Sequence, residues 1–388
     1  MFRRVYLDNA ATTPVDPQVV HEMMAFLKED FGNPSSIHYY GQRARAAVDR
    51  ARHQAAALIN ARPNEVVFTS GGTESNNLAI RGLVKASEKY GRHIVLSGIE
   101  HPAVASVCDD LETEGFSVTR LPVYDNGLIH VEDVQAAICD ETVLVSVMTV
   151  NNEIGTIQPI EEIGRHVRTL RAAGRKIWFH TDAVQAIGKV PVDVEEIGCD
   201  LLSISGHKIY APKGIGALYI RRGTRLHSQN IGGRQERGIR GGTESVPNIV
   251  ALGKAAELAA ANLAATAAHL FSLRQHLENA IGERFSGTTL NGDRDLRVPG
   301  ISNVSFSGVE GEALLINLDM RGIAVSTGSA CSSGSLEPSP VIRALGVDED
   351  RARGAIRFSF GQANTLDDVD YLLEALGPAV ETLRGLQT

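Results

Sequence analysis

The sequence predicts an α/β protein built on a mostly parallel sheet, followed by a smaller α+β unit. Three observations carry this reading. Short β-branched apolar runs alternate with amphipathic segments, polar clusters follow the runs, and the character of the chain changes near Asn248. The runs are Val66-Val67-Phe68, Ile94-Val95-Leu96, residues 143–147, Ile177-Trp178-Phe179, Leu201-Leu202-Ser203-Ile204 and residues 215–220. Segments such as 103–114 and 160–173 lie between most of them, long enough for the crossover helices that parallel strands require. From Asn248 an alanine-rich stretch reads as one long helix over 249–277. Strands at 303–306, 324–326 and 355–360 follow, with a last helix over 366–383. The expected division is a large domain of residues 15–258 and a small one of 1–14 with 259–388, the boundary falling inside the long helix.

A chain of 388 residues exceeds one small core, and its 43% hydrophobic and 22% charged composition is that of a soluble globular protein. Lys+Arg 38 against Asp+Glu 46, a net charge of −8, leaves no electrostatic footprint for nucleic acid, so no direct nucleic-acid partner is expected. No membrane association is expected either: no apolar run reads as long enough to span a bilayer, and the first eight residues carry two arginines but no apolar signal-peptide core. The 4 cysteines, Cys108, Cys139, Cys199 and Cys331, form no Cys-x-x-Cys pair, which favours neither a disulfide framework nor a zinc site. A reduced, cytoplasmic protein without a structural metal follows.

In open α/β sheets, ligands bind beyond the carboxyl ends of the strands. The first run is followed by Thr69-Ser70-Gly71-Gly72-Thr73-Glu74-Ser75 and a helical pattern. That string serves equally as a phosphate cradle at a helix N-terminus or as an ordinary capped turn with Glu74 near the positive end of the helix dipole. It is not a Walker A loop. The second run leads to Glu100-His101-Pro102, where the proline suits a first helical turn and leaves the His101 imidazole at its mouth. The third leads to Asn151-Asn152-Glu153-Ile154-Gly155 and the fourth to His180-Thr181-Asp182-Ala183-Val184-Gln185. Asp182 would be semi-buried there, which is costly without a cation, either a structural ion-pair partner or a protonated ring nitrogen. The fifth leads to Ser205-Gly206-His207-Lys208, placing one lysine where a buried strand stops. A lone lysine in such a loop is ordinarily surface; a desolvated one is suited to condense with a carbonyl.

Together these groups match one ligand, pyridoxal 5′-phosphate. Its aldehyde needs a lysine, its pyridine nitrogen a carboxylate, its phenolic oxygen amide donors, and its phosphate a helix N-terminus with hydroxyls. No nucleotide fingerprint competes, because no G-x-G-x-x-G follows a first strand.

Tyr6-Leu7-Asp8-Asn9-Ala10-Ala11-Thr12-Thr13-Pro14, Phe31-Gly32-Asn33-Pro34-Ser35-Ser36, the Gly72-Thr73-Glu74-Ser75 loop, Glu100-His101, Asn151 to Gly155, His180 to Gln185, Ser205 to Lys208 and Gly328-Ser329-Ala330-Cys331 resemble, in order and spacing, the motifs of NifS/IscS-type cysteine desulfurases of the class-V aminotransferase family. The resemblance runs almost end to end. It implies the PLP fold-type I (aspartate aminotransferase-like) architecture, with a mostly parallel seven-stranded sheet in the large domain, and a homodimer with active sites at the subunit interface. It makes Lys208 the Schiff-base lysine, His101 the residue stacked on the ring and moving protons, and Asp182 the partner of the pyridine nitrogen. It assigns Asn152 and Gln185 to the phenolic oxygen, and Gly72, Thr73, Ser205, Gly206 and His207 to the phosphate end. Thr243 would reach the phosphate of the neighbouring subunit, while Arg357 and Asn33 would hold the substrate carboxylate.

Cys331 sits in a Gly/Ser-rich stretch, 326–338, whose composition cannot pack a core, so an exposed thiol is expected there. The other three cysteines read as buried small hydrophobes. The resemblance makes Cys331 the nucleophile and persulfide carrier, able to ligate an iron–sulfur cluster transiently. The implied reaction converts L-cysteine to L-alanine and delivers sulfur to a protein acceptor, such as an iron–sulfur scaffold or a thiolation enzyme. Nitrogenase-type cluster supply, tRNA thiolation and DNA phosphorothioation are all compatible acceptor pathways. One competing reading is another fold-type I enzyme, such as an aminotransferase or a selenocysteine lyase, which need not have Cys331. The other is a non-catalytic sulfur-relay or iron–sulfur scaffold protein, which would need several thiols near one another where the sequence shows none.

Overall fold

The computed structural model describes residues 3–328 and 337–385. Strands β1 (Val5–Tyr6), β2 (Val66–Thr69), β3 (His93–Ser97), β4 (Ser117–Leu121), β5 (Thr142–Ser146) and β6 (Trp178–Asp182) come first. They are followed by β7 (Leu201–Ser205), β8 (Gly216–Ile220), β9 (Thr288–Leu290), β10 (Ile301–Phe306), β11 (Ile323–Ala324) and β12 (Ala355–Ser359). The helices before the long one are α1 (Pro17–Lys28), α2 (Tyr39–Ala57), α3 (Gly72–Ser87), α4 (Pro102–Thr113), α5 (Val131–Ala137), α6 (Ile160–Ala172) and α7 (Val194–Ile197). The long helix is α8 (Val246–Arg284), and α9 (Gly311–Asp319), α10 (Pro340–Ala344), α11 (Glu349–Arg353) and α12 (Leu366–Gly385) complete the set.

Seven strands form the large sheet in the order β2-β8-β7-β6-β5-β3-β4. Only β8 runs against its neighbours, so the others send their carboxyl ends to one edge. Both faces are covered, which is why the strands read as unbroken apolar runs. Alternate residues divide between two cores: Phe68, Val95, Val145, Phe179, Leu202 and Tyr219 face one, and Val67, Leu96, Leu144, Leu201 and Leu218 face the other with α3 and α4.

A third core gathers Leu270, Leu277, Phe306, Leu314, Ile356, Phe358, Leu372 and Leu376 around the antiparallel sheet β12-β10-β9. The helix α8 joins the two regions, since Ile249, Leu252 and Ala255 pack in the first core while Leu273 and Leu277 pack in the third. It runs close against α2. A Cβ on Gly253 would lie 2.6 Å from the Ala51 Cα, so only glycine permits that approach. The start of the chain is drawn in by β1, which pairs in parallel with β11, and by a bridge from Asp8 to Ser359. Residues 9–13 are thereby laid across the edge where the large sheet ends.

Several expectations need correction. The strand β4 went unread because it is a polar, half-exposed edge strand. The segment before β7, which carries no sequence signal read above, holds the single turn of helix α7, capped by Asp193. Only Ile323–Ala324 form a strand in the stretch read as 324–326, with Ser326 in an isolated bridge to Arg357. Cys139 is exposed, not buried, because α5 ends at Ala137; its Sγ lies 3.4 Å from His93 Nδ1. Cys108 and Cys199 are buried, and burial pushes both thiols up, Cys108 to about 12. By length and composition α8 does reach what a bilayer crossing needs, contrary to the sequence expectation. Its apolar residues are instead used by the two cores it joins.

Candidate active site

The carboxyl ends of β2, β3, β5, β6 and β7 open on one cavity of about 470 Å³. Behind β7, the single 3₁₀ turn Gly206–Lys208 swings Lys208 into it. This turn packs tightly: a Cβ on Gly206 would meet Ile215 Cγ2 at 2.9 Å and Ala211 Cβ at 3.1 Å. Lys208 Nζ donates to the carbonyls of Ala10 and Ala11, each at 2.6 Å. The Ala10 carbonyl also accepts from Gln185 Nε2 at 2.9 Å.

Asp182 ends β6 and is only 6% exposed. Its Oδ2 accepts from Asn76 Nδ2 at 2.7 Å and its Oδ1 from the Val184 amide at 2.9 Å. No lysine, arginine or histidine among the described residues forms a salt bridge with it, so the structural ion pair is absent there. Asn76 Oδ1, also buried, has no partner among the described residues.

His101 follows β3 and caps α4, with Pro102 in the first turn. Its Nδ1 accepts from the Ala103 amide at 3.1 Å, which puts the proton of the neutral ring on Nε2. Burial lowers the imidazole below its ordinary value, the Lys208 charge adds to this, and Asp182 opposes it. The neighbouring Glu100 is buried, with Oε1 accepting from Ser97 Oγ and the Met148 amide, both at 2.7 Å. Its Oε2 has no partner among the described residues.

Burial pushes the Glu100 carboxyl from the ordinary 4.5 up to about 8. The unfolded chain releases this proton first, so stability is full below pH 4.5 and falls as the pH rises towards 8, by up to ~1.4 kcal/mol per unit. Glu100→Gln keeps the shape and the acceptor while removing the titration. The urea midpoint of the variant is expected to fall less than that of the wild type between pH 5 and pH 8. Parallel falls in the two proteins would refute this.

At β2, Gly71 caps α3 at φ +154 and offers no side-chain acceptor to the helix amides. A Cβ on Gly71 would meet nothing nearer than Ser205 Oγ at 4.0 Å, so the space above the helix N-terminus is open. Glu74, also on the cavity wall, is neutralised by Arg240 at 2.8 Å and accepts from the Ser70 amide at 2.7 Å. Burial pushes His207 down to about 4, with Lys208, Lys213 and Lys189 adding to it, and its Nδ1 lies 3.1 Å from Thr12 Oγ1. Across the cavity, the buried guanidinium of Arg357 is held by Asp8 at 2.7 Å and by the Asn152 carbonyl at 2.8 Å. Its Nε has no partner among the described residues.

Lys208, His101, Gly72, Thr73, Asn152, Asp182, Gln185, Ser205, His207 and Arg357 thus line one cavity. Gly206 lies beneath the wall. Asn33 and Thr243 are not brought to it within this chain: both are exposed, and Asn33 Oδ1 accepts from the Ser35 amide in its own loop. Cys331 lies outside the described residues, although Gly328, just before it, reaches the cavity wall. Sequence reasoning gave no role to Asp8, to Asn76 or to the two alanine carbonyls. Asn76 had one available signal: it stands one helical turn beyond Gly72, on the same face of α3.

The aminotransferase class-V family profile matches residues 5–372. The chain belongs to this family. It is 50% identical to the cysteine desulfurase IscS of Vibrio vulnificus (strain CMCP6), over 98% of this chain and 94% of that protein. A solved NifS-like protein matches with a TM-score of 0.90 at 37% identity, over 98% of this chain and 99% of the other. A solved SspA in complex with cysteine matches with a TM-score of 0.81 at 38% identity, over 92% and 98%. The fold is therefore PLP fold-type I, and enzymes of this kind use pyridoxal 5′-phosphate. The residues here fit that group: an amine, a buried carboxylate with no salt bridge among the described residues, an imidazole, and a helix N-terminus left open by glycine.

Proposed function

We propose that this pyridoxal 5′-phosphate enzyme is a cysteine desulfurase that converts L-cysteine to L-alanine and carries the sulfur on Cys331 as a persulfide. The observation that carries the proposal is the convergence of Lys208, His101, Asp182 and Arg357 on one cavity at the strand ends. Similarity to a cysteine desulfurase over nearly the full chain, and to an SspA in complex with cysteine, supports the substrate.

When bound, the cofactor supplies an electron sink for the Cα–H bond. Asp182, held by Asn76, pairs with its ring nitrogen; Gln185 and Asn152 face its phenolic oxygen. The first-turn amides of α3, with Thr73, Ser205 and His207, take its phosphate. Arg357, fixed by Asp8, holds the substrate carboxylate, with Asn33 as a second contact. Lys208 Nζ anchors the cofactor and moves the Cα proton. His101, neutral near pH 7, holds its Nε2 proton towards the substrate sulfur. The Cys331 thiolate attacks that sulfur: an S–S bond forms, the C–S bond breaks with its electron pair left on Cβ, Cβ takes the proton that the Cys331 thiol gave up, and Lys208 returns the Cα proton. One sulfur has moved and no external oxidant is needed.

Thr243, exposed and away from its own cavity, fits a contact to the phosphate of a neighbouring subunit. Exposed Phe31, Ile37, Tyr39 and Tyr40 support a homodimer. We further propose the domain division at residues 15–258 against 1–14 and 259–388, a cytoplasmic location, and a protein sulfur acceptor serving iron–sulfur assembly or a thiolation pathway.

Incubation with L-cysteine and a reductant is expected to yield alanine and sulfide in equal amounts. Cys331→Ala is expected to lose sulfide release while keeping the visible cofactor band. Full turnover in that variant, or unequal products in the wild type, would point to another fold-type I reaction.

A further inference from the structure

Lys189 has no part in the reaction described so far, yet it lies next to its machinery. It follows β6 in the tight turn of residues 183–190, and lines a second, smaller cavity of about 70 Å³ together with Ala10 and Lys208. Its Nζ donates to Gln185 Oε1. No carboxylate pairs with it among the described residues. The charged or titratable groups acting on it or feeling it are Lys208 and His207 from the turn after β7, and Arg357 from β12. Burial, reinforced by Lys208 and Arg357, pushes its ammonium down to about 7. A methionine would fill the same space without that cost.

As an ammonium, the lysine supplies unambiguous polarity, because it carries donors and no acceptor. The Gln185 amide can be turned either way, and its contour is the same in both orientations. Lys189 Nζ is a donor to Oε1, and the Ala10 carbonyl, which takes Nε2 at 2.9 Å, is an acceptor only. Reversing the amide would set oxygen against oxygen at one end and N–H against N–H at the other. Nε2 carries two hydrogens, one of which goes to Ala10, and Gln185 lines the main cavity. We propose that Lys189 is a positioning residue that locks the Gln185 amide with its second Nε2 hydrogen turned into the cavity, as the donor to the phenolic oxygen of the cofactor. The proposal rests on the reading of Gln185 as a contact of that oxygen.

The readout is the pH midpoint of the visible band of the bound cofactor in the holoenzyme, with thermal melting as a control for folding. A donor to the phenolic oxygen favours its deprotonated form, so losing the donor raises the midpoint. Gln185→Ala is expected to raise it by about 0.5–1 unit, the worth of one neutral hydrogen bond. Lys189→Met is expected to raise it at least as far, and Lys189→Arg, which keeps donors and charge, to return it towards the wild type. Adding Lys189→Met to Gln185→Ala is expected to shift it less than Lys189→Met does alone. An unmoved midpoint in Lys189→Met overturns the proposal. So does an equal shift in the presence and absence of Gln185, because Lys189 would then act through its charge alone. An unmoved midpoint in Gln185→Ala instead removes the reading of Gln185 on which the proposal stands.

Discussion

Lys208→Ala is expected to lower the rate of alanine formation from L-cysteine by about 10⁴-fold or more, the upper range for a positioned general acid–base group. The geometry gives the reason. Nζ is the amine that the turn Gly206–Lys208 delivers to the cavity, and it is steadied there by two backbone carbonyls at 2.6 Å. Removing it takes away both the anchor for the cofactor aldehyde and the group that moves the Cα proton. Gel filtration should then strip the cofactor, leaving no visible band, whereas the wild type keeps its own. The two acceptors belong to Ala10 and Ala11, so their backbone groups persist in the variant and folding should be intact. A variant that retained turnover would move the proton-transfer role to His101, a neutral imidazole on the same cavity.

The site was largely legible in the sequence because of the sheet. When strands run parallel, the short strings that follow them are far apart in the chain but share one edge, so Thr73, His101, Asn152, Asp182 and Lys208 could be gathered by inspection. The illegible part came from elsewhere. The Ala10 and Ala11 carbonyls reach the cavity, and Asp8 reaches Arg357, through the pairing of β1 with β11 and the bridge to Ser359, a long-range register with no local signature. The edge strand β4 was hidden for a different reason: with only one neighbour and partly exposed side chains it has no continuous apolar run. Cys139 reads as a buried small hydrophobe by its type, yet it is exposed because α5 stops at Ala137 and the backbone turns extended at Ile138. Lys189 had a position in the sequence but no reading, because its importance lies in a side-chain amide four residues earlier, whose orientation only three dimensions reveal.

Asp182→Asn is expected to lower turnover by about 10²–10⁴-fold while changing the cost of losing the cofactor. The carboxylate is buried, accepts from Asn76 and from the Val184 amide, and has no cation among the described residues. A buried acidic group satisfied by hydrogen bonds alone is expensive until a positive partner arrives. In the wild type, therefore, binding the protonated ring nitrogen relieves a strain that the cofactor-free protein must carry. Asparagine has nearly the same shape and carries no charge, so its cofactor-free form has less to relieve. The melting temperature should accordingly drop further on cofactor removal in the wild type than in Asp182→Asn, and the variant should bind the cofactor more weakly. The decisive comparison is between the two cofactor-free proteins. If Asp182→Asn melts no higher than the wild type in that state, the carboxylate is not held at a cost, and its part in holding the ring nitrogen loses its physical basis. If it melts higher and turns over poorly, the same residue both weakens the empty fold and drives the reaction, as expected of a charge installed for its ligand rather than for the fold.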